Sequence, residues 1–335
     1  MQANCLVLYS GGLDSILACK VLEEQGIRPI ALQCITPFFG YSLKGREHRE
    51  TQRVMEKYSL ELHVVDISQE YLQMVRNPPH GYGRHLNPCI DCKIIMVKKA
   101  ISLMDKFSAS FVASGEVLGQ RPMSQRRDAL RIIERDSGAA GLLLRPLSAG
   151  FLPETHPERN GLVDRNKLPG ISGRGRKIQM ALAQRYGIRD FPAPAGGCVL
   201  ADPILSARFR KIFETWPGFT VADCLIARTG RHFLLEDKSW VIVGRNQKEN
   251  IRLEKLAGPE DILLRPVDIP GPVCLVRYIA SDKALDITAR ICARYSKGKG
   301  TEKLRIKASR QKDDLEKILL ANAPCPDMEL ETWRF

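Results

Sequence analysis

At 335 residues, with 44% hydrophobic and 27% charged side chains, the chain is long enough for two cores and has the composition of a globular protein. Its formal charge of +13 favours a polyanionic partner, because each cation brought to a phosphate releases a condensed counterion. No apolar run approaches the roughly 20 residues that span a bilayer, and Met1-Gln2-Ala3-Asn4 lacks the basic start of a signal peptide, so the expectation is no membrane and a cytoplasmic location.

The first half alternates short β-branched runs with helical periodicity, the pattern of an α/β fold with a parallel sheet. Strands are predicted at residues 5–9, 29–35, 62–67, 111–113 and 142–144, and helices at 15–25, 47–58, 94–107 and 124–134. From 148 to 175 the chain turns to Pro, Gly and charge, which reads as a loop or linker, and a helix is predicted at 176–186. Beyond Pro203 the grammar changes to helices at 204–215 and 221–227 and a hairpin, 232–235 with 240–243, turning at Asp237-Lys238. Two domains are therefore expected, 1–203 of α/β type and 204–335 of α+β type.

Ser10-Gly11-Gly12-Leu13-Asp14-Ser15 joins the first strand to the first helix. Two glycines let the backbone turn tightly, and the unpaired N–H groups of the following helix, with its positive dipole end, suit a pyrophosphate. Ser10 and Ser15 add hydroxyls. The competing role is a capped glycine turn. Neither the Gly-Lys-Ser/Thr phosphate loop nor the dinucleotide fingerprint is present. The hexamer resembles the PP-loop of the ATP pyrophosphatase superfamily. That resemblance implies a doubly wound, mostly parallel sheet of the adenine nucleotide α-hydrolase-like kind, with ATP and Mg²⁺ at the loop and cleavage to AMP and pyrophosphate. It also makes Leu32, Gln33 and Cys34 on the second strand, and Gly115 after the fourth, candidates to border the nucleotide. Core packing competes for Leu32 and a plain strand-end turn for Gly115.

Ten cysteines in a cytosolic chain are expected as thiols. Cys89-Ile90-Asp91-Cys92 precedes a helix, whose dipole favours thiolates; a zinc half-site, a redox pair and an iron–sulfur half-site all fit the spacing. Zinc commonly takes four protein ligands, and no second CxxC exists. Cys198, behind Gly196-Gly197, is a third candidate, and three cysteines can hold a [4Fe–4S] cluster with one iron left open. Asn87-Pro88 ahead of Cys92, with the distant Gly197-Cys198, resembles bacterial tRNA 2-thiouridylases, which carry Asp where this chain has Cys89. CxxC with one remote Cys is more similar to the archaeal-type iron–sulfur tRNA thiouridylases. The resemblance implies Cys89, Cys92 and Cys198 as cluster ligands, with zinc or no metal as alternatives. A relay through Cys92 and Cys198 without a cluster is a further alternative. Asp14, Cys89, Cys92 and Cys198 are thus the catalytic candidates, Asp91 and Lys93 could assist proton movement, and the implied partners are tRNA and a sulfur donor. Sulfuration or amination of another substrate by a PP-loop enzyme is the competing activity. Cys5 and Cys19 read as small buried hydrophobes, and Cys224, Cys274, Cys292 and Cys325 have no metal spacing.

Residues 243–250 with 293–297 resemble the RNA-binding domain called NFACT-R, over about residues 205–335. Arg231, Arg245, Arg294 and Lys297 are candidate phosphate contacts, Asn246 reads bases or caps a helix, and Tyr295 stacks on an unpaired base. Arg290, Lys299, Lys303, Arg305 and Lys307 extend the basic stretch, and Arg126 and Arg127 form a second cluster with Arg121 and Arg131. A solvated helix face is the ordinary alternative for such charge runs.

Overall fold

The computed structural model describes residues 3–191, 198–297 and 303–335. Gly196, Gly197 and Lys299 lie outside the described residues. The chain divides into two units, Met1–Asp202 and Pro203–Phe335.

Unit 1 runs β1 (Asn4–Leu8), α1 (Leu13–Glu23), β2 (Arg28–Ile35), α2 (Glu47–Tyr58), β3 (Glu61–Asp66), α3 (Ser68–Arg76), α4 (Cys89–Ser102), β4 (Ala109–Ser114), α5 (Arg127–Ser137), β5 (Leu143–Leu144), α6 (His156–Arg159) and α7 (Lys177–Arg185). The five strands are all parallel, in the order β3-β2-β1-β4-β5. Strands covered on both faces must be apolar throughout, which is why β1 reads Cys-Leu-Val-Leu. Cys5 and Val7 pack with Ile16 and Leu17 of α1 on one face. Leu8 packs with Ile94 and Val97 of α4 and Ile133 of α5 on the other. The sheet is doubly wound. Its order reverses between β1 and β4, and in such sheets a crevice opens at the carboxyl ends of the strands flanking the reversal.

Three expectations are corrected here. Residues 68–76 form a helix that the sequence pattern did not reveal. The helix after the CxxC begins at Cys89, not at Ile94, so both thiols lie within its first turn. The stretch 148–175 is no linker. Ala149, Val163, Leu168 and Ile171 join the unit 1 core, because short helical turns and paired backbone let a Pro/Gly-rich segment bury its few apolar side chains.

Unit 2 contains α8 (Pro203–Thr215), α9 (Val221–Ile226), β6 (Arg231–Leu234), β7 (Trp240–Val243), α10 (Gln247–Leu256), β8 (Ile262–Pro266), β9 (Cys274–Arg277), α11 (Asp282–Arg294), β10 (Leu304–Arg310), β11 (Leu315–Ala321) and α12 (Asp327–Trp333). Its antiparallel sheet has the order β11-β10-β8-β9-β7-β6. The β6–β7 hairpin forms as its alternation predicts, with Lys238 at φ +66° in the turn. Phe233, Val241, Val276 and Ile306 of the sheet pack with Ala289, Ile291 and Cys292 of α11. Among the described residues no helix is long and apolar enough to cross a membrane.

Candidate active site

The glycine hexamer occupies the turn from β1 into α1. Gly11 has φ +75°, a conformation that L side chains rarely adopt, and Gly12 is extended at the N-cap without any side-chain cap. On the loop, Ser10 Oγ accepts from Gly12 N at 3.4 Å, and no N-cap side chain takes the N–H groups beyond it. Ser15 Oγ donates to the Gly12 carbonyl at 2.7 Å and accepts from Ser10 N at 3.3 Å, so this hydroxyl stiffens the loop. Asp14 Oδ2 accepts from Gln120 Nε2 at 2.8 Å, while its buried Oδ1 has no partner. A hard cation or its waters would satisfy that orphaned carboxylate oxygen, so the donor set here fits Mg²⁺.

Gly115 and Glu116 follow β4 across the point where strand order reverses. A Cβ on Gly115 would lie 2.4 Å from the Asp14 carbonyl oxygen and 2.6 Å from Ser15 N. The residue is glycine because two backbones meet there. Its neighbour Glu116 is buried and faces Lys93 Nζ at 3.7 Å and Arg145 Nε at 3.2 Å. Burial raises the Glu116 carboxyl, but Lys93 and Arg145 outweigh it and hold the group below its usual range. Arg145, 2% exposed, also pairs with Glu134.

Lys93 adjoins Cys92, and there the thiols gather. Cys92 and Cys198, far apart in sequence, both lie near enough to Tyr71 and to Cys89 to feel them electrostatically. Tyr71 is 1% exposed on α3, between the rings of Phe38 and Phe39. Two backbone bonds fix the Cys198 segment: Leu86 N donates to Leu200 O at 3.1 Å, and Val199 N donates to Phe38 O at 3.3 Å. Asn87 Nδ2 donates to Cys89 Sγ at 3.1 Å. Burial pushes the Cys92 thiol up to about 11, although Lys93 and Tyr71 pull the other way. Burial likewise takes Cys198 to about 12 and Cys34, which also feels Cys92, to about 12. For Cys92, loss of solvent therefore works against the thiolate that the helix terminus was expected to favour.

Among the described residues no group of three or more His, Cys, Asp or Glu side chains is placed to hold a single metal ion. One tetrahedral ion with Zn–S bonds of about 2.3 Å needs its sulfurs tightly grouped, whereas a cubane spreads its thiolates over different irons. Thiolates are the donors such a cluster takes, and Cys89, Cys92 and Cys198 supply three.

The other sequence candidates fall in varied places. Leu32 is 1% exposed and packs in the core beside α4. Gln33, the next residue on β2, has a buried Oε1 without a partner. Asp91, offered for proton movement, is tied to His80 through Nδ1 at 2.7 Å and through the backbone N at 3.0 Å. Arg126 pairs with Asp128, and Arg127 donates to the Phe151 carbonyl. In unit 2, Arg245 forks onto Glu249 and Arg294 pairs with Asp327. Asn246 caps α10, accepting from Glu249 N at 3.1 Å. Arg231 lies 4.6 Å over the Tyr295 ring, whose hydroxyl accepts from Arg334 at 3.0 Å, so one face of the expected stacking platform is already covered. Lys297 keeps an exposed side chain. Arg290, Arg305 and Lys307 pair with Glu329, Asp268 and Glu316. Sequence reading missed Tyr71, Gln120, Gln179 and Arg145 as site residues. None belongs to a motif, and only the fold brings them to the loop or the thiols.

The glycine loop, the all-parallel sheet and the strand reversal beside the loop define an α/β domain of the PP-loop class. Residues 1–150 match the family model described as thiamine biosynthesis protein (ThiI), and residues 230–334 match that of the NFACT protein RNA binding domain. The tRNA-specific 2-thiouridylase MnmA of Syntrophotalea carbinolica is 30% identical over 119 residues, covering 33% of this chain and 34% of the relative. A probable tRNA sulfurtransferase of Methanobrevibacter smithii is 29% identical over 126 residues, covering 36% and 31%. A solved 4-thiouridine synthetase–RNA complex with bound ATP aligns with TM-score 0.37 and 22% identity, covering 55% of this chain and 50% of that one. The chain spans about a third of the length of the curated relatives it matches. It combines a PP-loop domain similar to ThiI and the tRNA thiouridylases with a C-terminal domain similar to NFACT-R.

Proposed function

We propose that this protein is a cytoplasmic tRNA-uridine sulfurtransferase that spends ATP to exchange a carbonyl oxygen of the base for sulfur. The observation that carries this reading is the Gly115-Glu116 pair. Gly115 touches the glycine loop at Asp14, and Glu116 faces Lys93 beside Cys92, so an anion cradle and a set of thiols border the same strand end. The printed activities of the relatives, tRNA 2-thiouridylase and tRNA sulfurtransferase, supply the substrate class.

ATP would bind over residues 10–15, and Asp14, whose buried Oδ1 has no protein partner, would help hold a Mg²⁺ that offsets the phosphate charge. The uridine carbonyl oxygen attacks the α-phosphorus; a new P–O bond forms and the bond to pyrophosphate breaks. Open N–H groups at the start of α1 take the developing charge of the leaving group. The base now carries AMP, a good leaving group, in place of its oxygen. Hydrosulfide sulfur then adds to that carbon and its proton is lost; the C–O bond breaks, releasing AMP. Cys89, Cys92 and Cys198 would hold a [4Fe–4S] cluster, which when bound supplies an open iron able to bind hydrosulfide. Lys93, held by Glu116, keeps a positive charge near the site of sulfur entry. Tyr71 lies near both Cys92 and Cys198. NFACT-R-like unit 2 grips the tRNA, with Arg231 and Lys297 offered to phosphates.

Anaerobic reconstitution followed by mass spectrometry of tRNA nucleosides tests the proposal. Expected are an iron-dependent absorption band and a thionucleoside formed only with ATP and sulfide. Cys198→Ala should abolish the thionucleoside while sparing ATP binding. Full thiolation by iron-free protein would remove the cluster from the mechanism and favour a relay through Cys92 and Cys198, which both lie near Tyr71.

A further inference from the structure

Asp14 is not held by its own helix. Its Oδ2 accepts from Gln120 Nε2 at 2.8 Å, and Gln120 Oε1 accepts from Gln179 Nε2 at 3.3 Å. Three side chains from the start of α1, the loop after β4 and the first turn of α7 therefore stand in single file. The polarity of this file is set at one end. A carboxylate only accepts, so Gln120 must turn its NH₂ to Asp14 and its oxygen to Gln179, which must do the same in turn. Gln179 is 0% exposed, and a fully buried amide is costly unless both of its ends are used. Its Oε1 nevertheless has no partner, and neither does Asp14 Oδ1. Both ends of the file are acceptors awaiting a donor or a cation.

The scaffold that brings Gln179 there is firm. Gly173 N donates to Leu118 O at 2.7 Å, and Leu118 N donates to Ser148 Oγ at 2.9 Å. Ser148 Oγ donates in turn to Ile171 O at 2.7 Å. The segment leading into α7 is thus stitched to the residues just before Gln120, and the two glutamines are delivered together.

We propose that Gln120 and Gln179 are positioning residues that lock the Asp14 carboxylate so that Oδ1 faces a divalent cation riding on the nucleotide. This rests on the reading of residues 10–15 as an ATP site. The glutamines touch neither the reacting atoms nor the thiols; they act through Asp14. Without the file the carboxylate can rotate, and the cation loses a preset ligand while the backbone cradle for the phosphates remains.

The test uses full-length protein with Mn²⁺ as the probe, read by electron paramagnetic resonance with and without ATP. Gln120→Met and Gln179→Met keep side-chain volume but remove the amide. Each single variant is expected to weaken Mn²⁺ binding in the ATP complex about tenfold, the scale of one hydrogen bond to a charged group. The double variant should be no weaker than either single one, since both break one file. Binding of ATP without a divalent cation should stay close to wild type, while Gln120→Met, which leaves the buried Gln179 amide unpaired, should lower the melting temperature without unfolding the protein. Wild-type Mn²⁺ affinity in folded Gln120→Met overturns the proposal. So does an equal loss of metal-free ATP binding, or a strictly additive double variant. Nucleoside mass spectrometry is run in parallel: intact coupling of Mn²⁺ to the glutamines without any thiolated tRNA sustains the positioning role of Gln120 and Gln179 and refutes only the sulfur-transfer reading. Absence of Mn²⁺–ATP binding by the wild type refutes both.

Discussion

Gly115 packs so closely on Asp14 that any side chain at position 115 would strike the Asp14 carbonyl, at 2.4 Å for a first carbon. The contact couples the carboxyl end of β4 to the glycine loop after β1, across the reversal of strand order. Glu116, one residue on, extends the coupling to Lys93 on the helix that bears Cys89 and Cys92.

Gly115→Ala should therefore push the glycine loop out of place. Since the neighbouring atoms are backbone, the clash cannot be relieved by a rotamer change, and a destabilisation of about 1–3 kcal/mol is expected. Thermal melting reads that loss, and an ATP titration should show weakened binding. Unchanged ATP affinity would mean that the loop does not depend on β4.

Arg145 is the buried hub joining Glu116 to Glu134. Arg145→Met removes the cation and leaves Glu116 with only Lys93 as a counter-charge, so a loss of about 3–5 kcal/mol is expected in chemical denaturation. Adding Glu116→Gln should recover part of that loss by removing the uncompensated charge. A double variant that is no more stable than Arg145→Met would contradict this account.

His232 makes the stability of unit 2 depend on pH. Trp240 Nε1, which can only donate, reaches His232 Nδ1 at 3.1 Å, so this nitrogen must be unprotonated. Burial, aided by Arg208, holds the ring well below the usual histidine range. The folded state thus binds fewer protons than the unfolded state. Stability from this group is fully present above about pH 6.5 and is lost as pH falls below it. Melting temperature should drop from pH 7 to pH 5 in the wild type, and His232→Gln, which keeps an acceptor, should flatten that difference. Parallel pH profiles would refute the assignment.

Ion pairing divides the basic residues of unit 2. Lys297 carries an exposed ammonium, whereas Arg245 and Arg294 are bound to Glu249 and Asp327. Lys297→Ala should lower the salt slope of tRNA binding by about one, and Arg245→Ala by less. Filter binding across a salt series measures both. Equal slopes for all variants would place the RNA elsewhere.

Alternation and periodicity were enough to locate the strands of unit 1, to delimit residues 47–58 as a helix and to find the β6–β7 hairpin. Local rules suffice there, because a buried parallel strand must be apolar and a hairpin must turn within a few residues. The helix bearing Tyr71 escaped notice: Ser68–Arg76 is short and shows only Tyr71, Leu72 and Val75 as its buried apolar face. The charge run around residues 290–307 looked like open positive surface. Its acidic partners Glu329, Asp327, Asp268 and Glu316 come from other stretches of the chain.

The sequence by itself determined the chemistry on offer: a loop that only glycines can turn, three thiols in marked settings and a basic C-terminal half. Tertiary structure decided which groups meet. It gathered Cys92 and Cys198 around Tyr71, set Gly115 on Asp14, and ran Gln120 and Gln179 in file to the same carboxylate. Those pairings depend on strand order and on backbone approach between distant segments, and no pattern local to one stretch of chain encodes either.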